Sequence, residues 1–207
     1  VESQIVTGGQ KVSRPANQEK ISTDSKLSII LDWYTSTDDG TTLSDTPFDF
    51  DTPVTSNIKL YAKWFYPLVI EFINPGYIEI TNTWSSLMWL KNDGSWKDAN
   101  RYLANANAGD KIYLYAKYSE NTETTYMKIN CSADCYLYGN IMGLSVEQDE
   151  LNAYAFYYLF QDNTHIKNHE EKKLELPATT LGKYCYGYMF KGCTSLTEAP
   201  LLPATTL

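Results

Sequence analysis

The chain of 207 residues is predicted to be mainly β and built from several small units in series. Three observations predict this. Short runs of β-branched and aromatic residues recur between clusters of Gly, Pro, Asn and Asp, as strands separated by turns do. No convincing helix interrupts residues 67–150. The hexapeptide Leu176-Pro177-Ala178-Thr179-Thr180-Leu181 recurs unchanged as Leu202 to Leu207, a period of 26 residues. A fixed period of that size marks a solenoid, in which each coil has its apolar ridge covered only by the next coil.

Residues 1–66 form the first predicted unit. Gly8-Gly9 reads as a turn, Lys11-Val12-Ser13 as a short run ended by Pro15, and Leu27 to Leu31 as a strand leading into Trp33-Tyr34. Phe48-Asp49-Phe50-Asp51 alternates apolar and acidic residues, which predicts a strand with one wet face. Ile58 to Trp64 repeats that period with its apolar residues inward. The order Val12, Pro15, Trp33-Tyr34, Phe48-Asp49-Phe50, Thr52-Pro53-Val54-Thr55, Leu60-Tyr61-Ala62-Lys63-Trp64 resembles the Listeria–Bacteroides repeat, also called the internalin B-repeat. The resemblance implies a small β-grasp-like fold and a spacer or adhesion role without catalysis. Two departures stand out: the chain begins too late for all of the family's opening strand, and Asp32 precedes Trp33 where the family prefers Gly.

Residues 67–150 read as a small antiparallel β-sandwich with a lead-in to the repeats. Val69 to Ile73, the turn Asn74-Pro75-Gly76 and Tyr77 to Thr81 read as a hairpin. Leu87 to Leu90 is followed by the turn signal Asn92-Asp93-Gly94. Ala108-Gly109-Asp110 leads into Lys111 to Tyr118.

Residues 151–207 hold the repeat. Upstream of the two hexapeptides, Tyr154 to Phe160 aligns with Tyr184 to Phe190, and Asn163-Thr164-His165-Ile166 with Cys193-Thr194-Ser195-Leu196. The first copy runs four residues longer, through Lys167 to Lys173. This stretch resembles the BspA-type leucine-rich repeats of bacterial surface proteins, and Ile129 to Tyr136 with Tyr138 to Met142 resembles the lead-in placed before their first coil. The resemblance implies a truncated set of such repeats. The chain opens at Val1 without an initiator Met and stops at Leu207 within a repeat, which reads as a piece of a longer protein.

Composition narrows the function. With 14% aromatic and 43% hydrophobic residues the chain has too much buriable surface for disorder. No run approaches the ~18 apolar residues that a membrane-spanning helix needs, so no membrane insertion is expected. A net charge of -8 opposes binding to phosphate backbones, so no nucleic-acid partner is expected.

Chemical sites are sparse. Cys131 and Cys135 can bridge only if Ser132-Ala133-Asp134 forms a turn, because four residues of strand span ~13 Å and bonded Cα atoms lie ~4.4–6.8 Å apart. The alternative is two free, partly buried thiols. Cys185 and Cys193 take the places of Ala155 and Asn163 and read as packing residues. Zinc is not expected, since no CxxC pair exists. His165 and His169 have helical spacing but lack the glutamate of HExxH, and a solvated loop is the better reading. Asp38-Asp39, Asp49/Asp51 and Asp149-Glu150 are close pairs, and neither of the first two suggests the buried carboxyl that acid–base catalysis requires. No catalytic, metal or cofactor-binding residue is therefore assigned. The candidate ligand platform is Tyr77, Trp84, Trp89 and Trp96, which form either a flat surface for sugar rings or the core of the sandwich. The expected function is a non-enzymatic bacterial cell-surface module that binds a host or neighbouring-cell protein or glycan through the solenoid. The rival is a carbohydrate-binding module centred on the sandwich.

Overall fold

The computed structural model describes residues 5, 7–16, 18–21, 27–92, 94–103, 105–145 and 149–205. It is mainly β, with several sheets and none of them closed. The chain divides into two compact units, Val1–Phe65 and Tyr66–Leu207.

In the first unit β1 (Glu19–Ile21), β2 (Leu27–Tyr34) and β3 (Tyr61–Phe65) form an antiparallel sheet in that order. Ile29, Ile30, Trp33 and Phe65 are buried. The β2–β3 register shifts between Ile30 and Asp32, which leaves Leu31 as a bulge. Asp32 holds this irregular point: its carboxylate accepts the Trp33 N–H at 2.8 Å and pairs with Arg14 at 3.0 Å. The strand predicted at Phe48–Asp51 is a turn instead. Asp49 accepts the Asp51 N–H and the Thr52 hydroxyl, and the Thr52 N–H bonds back to the Asp49 carbonyl. A short acidic side chain that captures its own downstream backbone competes with a strand ladder.

The second unit is larger. Its main sheet contains β4 (Leu68–Phe72), β6 (Met88–Lys91), β7 (Lys97–Asp98), β8 (Lys111–Tyr115), β10 (Cys135–Asn140), β12 (Ile166–Lys167) and β13 (Leu174–Glu175). β4 lies between β8 and β10, antiparallel to both, while β12 and β13 pair with β10 in parallel. The hairpin predicted across Asn74-Pro75-Gly76 does not form. β5 (Ile78–Thr81) pairs with β9 (Lys128–Cys131) in a separate two-stranded sheet. The reason is burial on both faces. Leu68, Val69 and Ile70 are all fully buried, so β4 is a central strand with two partners already, and the turn carries the chain to another layer. The turn at Asn92 and Gly94 does join β6 to β7, and Asp93 lies outside the described residues.

No break in the core marks residue 150. One buried cluster runs from Leu68 through Phe72, Ile80 and Ile129 to Phe156, Phe160 and Cys193. The predicted sandwich and the predicted repeats share it, because the repeats supply strands that extend the main sheet.

Asp110 ties the β6 and β8 ends of that sheet together. Its carboxylate accepts from the Asn107 N–H at 2.8 Å, the Asn92 amide at 2.7 Å and the Lys91 ammonium at 3.0 Å. These bonds, the backbone one foremost, hold the carboxyl down at about 2 against an ordinary 3.8. A depressed folded-state pKa adds stability above pH 3.8, and that stability is lost as pH falls towards about 2. Asp110→Asn is expected to lower unfolding stability by about 2 kcal/mol at neutral pH and to flatten this acid limb. Urea unfolding of the whole chain across that pH range checks both.

The repeat is built on turns. Segments 153–162 and 183–192 are neither helix nor strand. In each, alternate amides close successive i→i−3 turns: Tyr157 to Tyr154, Leu159 to Phe156 and Gln161 to Tyr158 in the first, Gly187 to Tyr184, Met189 to Tyr186 and Lys191 to Tyr188 in the second. The other amides of the first ribbon bond across to the second. Tyr154, Phe156, Tyr158, Phe160 and Asp162 donate to the carbonyls of Lys183, Cys185, Gly187, Met189 and Lys191, at 2.6–3.0 Å. Every pair is 29 residues apart. The same stacking continues where β11 (Glu150–Leu151) pairs in parallel with β14 (Thr180–Leu181), 30 residues on. Side chains follow a four-residue rhythm. Ala155-Phe156 and Leu159-Phe160 point inward and are buried, while Tyr157-Tyr158 stand outward between them.

The two hexapeptides differ in environment. Leu176, Ala178 and Leu181 are buried, whereas Leu202, the counterpart of Leu176, is 54% exposed and Ala204, the counterpart of Ala178, is only partly buried. Among the described residues, 202–205 make no backbone hydrogen bond to 176–179, and Thr206 and Leu207 lie outside the described residues. The stacking is thus carried by the aromatic ribbons and not by the conspicuous repeat.

Candidate functional site

The ribbons have a direction. Carbonyls on one side of the first ribbon are capped by the loop before and into β9. The Ser119 hydroxyl donates to the Ala155 carbonyl, the Asn121 amide to Tyr157 at 3.4 Å, and the Ile129 N–H to Leu159 at 2.7 Å. Asn121 is fixed in turn, since its side-chain oxygen accepts from the Trp84 indole and the Met127 N–H, each at 2.8 Å. Buried Asn163 adds a bond to the Ile129 carbonyl at 3.3 Å. On the far side of the second ribbon, the amides of Tyr184, Tyr186, Tyr188, Phe190 and Gly192 have no hydrogen-bond partner among the described residues. These are the amides equivalent to the five that join the first ribbon to the second.

The outward positions assemble a continuous tyrosine face. Tyr158 and Tyr188 stack with centroids 5.1 Å apart and planes at 11°, and Tyr154 lies 5.8 Å from Tyr184. Tyr157 is the hub. It lies 4.1 Å from Tyr158, 5.4 Å from Tyr154, 5.6 Å from Tyr126, 6.0 Å from Tyr188 and 6.2 Å from Tyr184. Gly187 makes this possible, because a Cβ there would meet the Tyr157 ring at 2.9 Å. A hydrogen bond with Tyr158 is the main cause pushing the Tyr157 hydroxyl above its ordinary range. Lys183 and Lys191 place their ammonium groups over the Tyr184 and Tyr188 rings, at 5.3 and 5.5 Å. Tyr184 and Tyr188 are more than half exposed.

Of the two readings of Tyr77, Trp84, Trp89 and Trp96, the core one describes Trp84 and Trp89. Trp84 and Trp89 are buried in the core, Trp96 is half-buried against Tyr115, and Tyr77 is exposed beside Tyr102. Trp84 packs towards Phe156 and spends its indole N–H on Asn121. Trp89 lies on β6, while Trp84 and Trp96 lie in the connections before and after it, so sequence proximity does not make them coplanar. The tyrosines were missed because Tyr-rich runs read equally well as strand. The signal present was the spacing of Tyr154, Tyr157-Tyr158, Tyr184 and Tyr188 around apolar pairs in a period of four, which neither helix nor strand has.

The chain bends at Ser132-Ala133 between β9 and β10, and Cys131 and Cys135 are both buried and free. A hydrogen bond with Cys131, with burial, pushes the Cys135 thiol far above the usual range. Cys185 packs where Ala155 packs. Cys193 differs from that pattern: its thiol donates to the Phe160 carbonyl at 2.9 Å, and burial raises it to about 11. His165 pairs with Asp134 at 3.1 Å, while His169 accepts the Glu171 and Lys172 N–H groups and packs on Tyr136 and Tyr138. The two imidazoles therefore serve separate structural contacts. Among the described residues, no group of three or more His, Cys, Asp or Glu is placed to hold a metal ion, and no helix is long and apolar enough to cross a membrane.

The carboxyls of Asp38, Asp39 and Glu71 lie below their ordinary range. Ser36 and Thr42 keep Asp38 at about 2, and Lys59 with Tyr61 lowers Asp39. Partial burial pushes Glu71 up, but bonds from Tyr138 and Lys172 outweigh it and its carboxyl lies below the usual range. No family model, curated protein or solved structure matches the chain.

Proposed function

We propose that the chain belongs to a non-enzymatic bacterial cell-surface or secreted protein, with an adhesion or scaffold role centred on stacked repeat coils. In this reading residues 1–66 are a β-grasp-like spacer of the Listeria–Bacteroides type, 67–150 a sandwich and lead-in, and 151–207 the first leucine-rich coils. The observation that carries it is the ladder of five hydrogen bonds at a constant 29-residue offset between the two ribbons. Such a ladder makes each coil a template for the next and builds a broad side surface, as solenoid binding proteins use. The motif order in residues 1–66 supports the surface setting. Burial of Trp84 and Trp89 weighs against the rival module centred on the sandwich.

The test is binding of the whole 207-residue chain to immobilised matrix proteins and cell-surface glycans. Saturable binding that disappears on thermal unfolding is expected. Turnover of a hydrolase substrate panel without retained binding would count against the proposal.

A further inference from the structure

The outward face of the ribbons carries a charge that its surroundings do not explain. The outward positions of the two ribbons are Ala153, Tyr154, Tyr157, Tyr158, Gln161 and Asp162, then Lys183, Tyr184, Gly187, Tyr188, Lys191 and Gly192. One carboxylate stands among them, and Lys128 lies 3.8 Å from it. Neither Lys183 nor Lys191 has a carboxylate oxygen within 4.0 Å among the described residues. A chain of net charge -8 thus keeps two uncompensated ammonium groups, both seated on tyrosine rings at one surface.

We propose that this tyrosine face binds an anionic polysaccharide, with Lys183 and Lys191 taking its sulfate or carboxylate groups and the tyrosine rings and hydroxyls taking its sugar units. The assignment rests on the stacked-coil surface reading above and names the ligand class for it. Charge complementarity selects an anion. Tyrosine rings offer an apolar body and a hydroxyl tip, which matches the C–H edges and hydroxyls of a sugar. The face is periodic along the stack, with Tyr154 over Tyr184 and Tyr158 over Tyr188, which suits a linear polymer of repeating units. An extended acidic peptide fits less well because it docks by pairing backbone with a free edge. Here the first ribbon's amides are taken up by i→i−3 turns and the inter-ribbon ladder, and the second ribbon leaves open only the amides of Tyr184, Tyr186, Tyr188, Phe190 and Gly192. The open amide row of the second ribbon continues the ladder direction, away from the first ribbon, and not out of the tyrosine face.

The experiment measures binding of the whole chain to dextran sulfate, neutral dextran of the same length and poly-glutamate, by calorimetry at low and moderate salt. Dextran sulfate is expected to bind and neutral dextran not to. Lys183→Gln with Lys191→Gln should weaken binding by at least about tenfold, and Tyr188→Ser by several-fold. The control pair Lys97→Gln with Lys117→Gln removes the same charge elsewhere and should change it by less than about twofold. An equal loss in the control pair, equal binding of neutral dextran, or tighter binding of poly-glutamate overturns the proposal. If dextran sulfate fails to bind while matrix proteins are still captured, the polysaccharide assignment falls alone. If nothing binds, the surface-adhesion reading falls with it.

Discussion

Gly182→Ala is expected to open the seam between the two ribbons while leaving the main sheet folded. Gly182 follows β14 and donates its N–H to the Leu151 carbonyl at 2.7 Å. A Cβ at this position would lie 2.5 Å from the Ala153 nitrogen and 2.6 Å from the Asn152 carbonyl carbon and the Leu151 oxygen. All three are backbone atoms, so no side chain can swing aside, and the segments 151–153 and 180–182 must separate. Overpacking of this kind costs about 3 kcal/mol. The loss should be local. Amides of Tyr154, Phe156, Tyr158, Phe160 and Asp162 should exchange quickly in the variant, because their acceptors lie on the displaced ribbon. Amides of Leu68 to Phe72 should stay protected, since β4 draws its partners from β8 and β10. Unchanged protection of the five ribbon amides would mean that the ladder does not depend on close approach at Gly182.

The second large effect is at Phe160. Its side chain is fully buried, and its ring stacks on Phe190 with centroids 5.7 Å apart and planes at 4°. Phe160→Ala is expected to destabilise the second unit by about 4 kcal/mol, through lost burial and the cavity left behind. Phe190 occupies the equivalent position one coil on and is only half-buried. Phe190→Ala should therefore cost roughly half as much. Thermal or urea unfolding of both variants measures the difference. Equal costs would show that the second ribbon is as well covered as the first, which the free amides of Tyr184, Tyr186, Tyr188, Phe190 and Gly192 argue against. The Tyr186 hydroxyl, buried without a hydrogen-bond partner, belongs to the same uncovered end of the stack.

Much of the local structure was legible. Gly109 adopts positive φ in the turn predicted before β8, and the Asn92–Gly94 turn joins β6 to β7 as its residues require. Alignment of Tyr154–Phe160 with Tyr184–Phe190 identified the segments that do stack. Other expectations failed for nameable reasons. Asn74-Pro75-Gly76 is a good turn, but a turn does not say which strands pair across it. Asp49 turned a strand-like alternation into a turn by bonding to the Asp51 N–H. For Trp84, Trp89 and Trp96 the sequence left platform and core both open, and burial of Trp84 and Trp89 decided for core at those two positions.

The amino-acid order alone determined that this chain is mainly β and that its last third repeats, because turn residues and apolar spacing act over a few positions. Only the tertiary structure decided which strands pair, that residues 151–193 share one core with the preceding strands, and that Tyr154, Tyr157, Tyr158, Tyr184 and Tyr188 gather on one surface. Those outcomes depend on contacts between residues some thirty or more positions apart, such as Tyr158 with Tyr188 and Asn121 with Trp84. Local spacing carries no record of which distant segment will lie alongside.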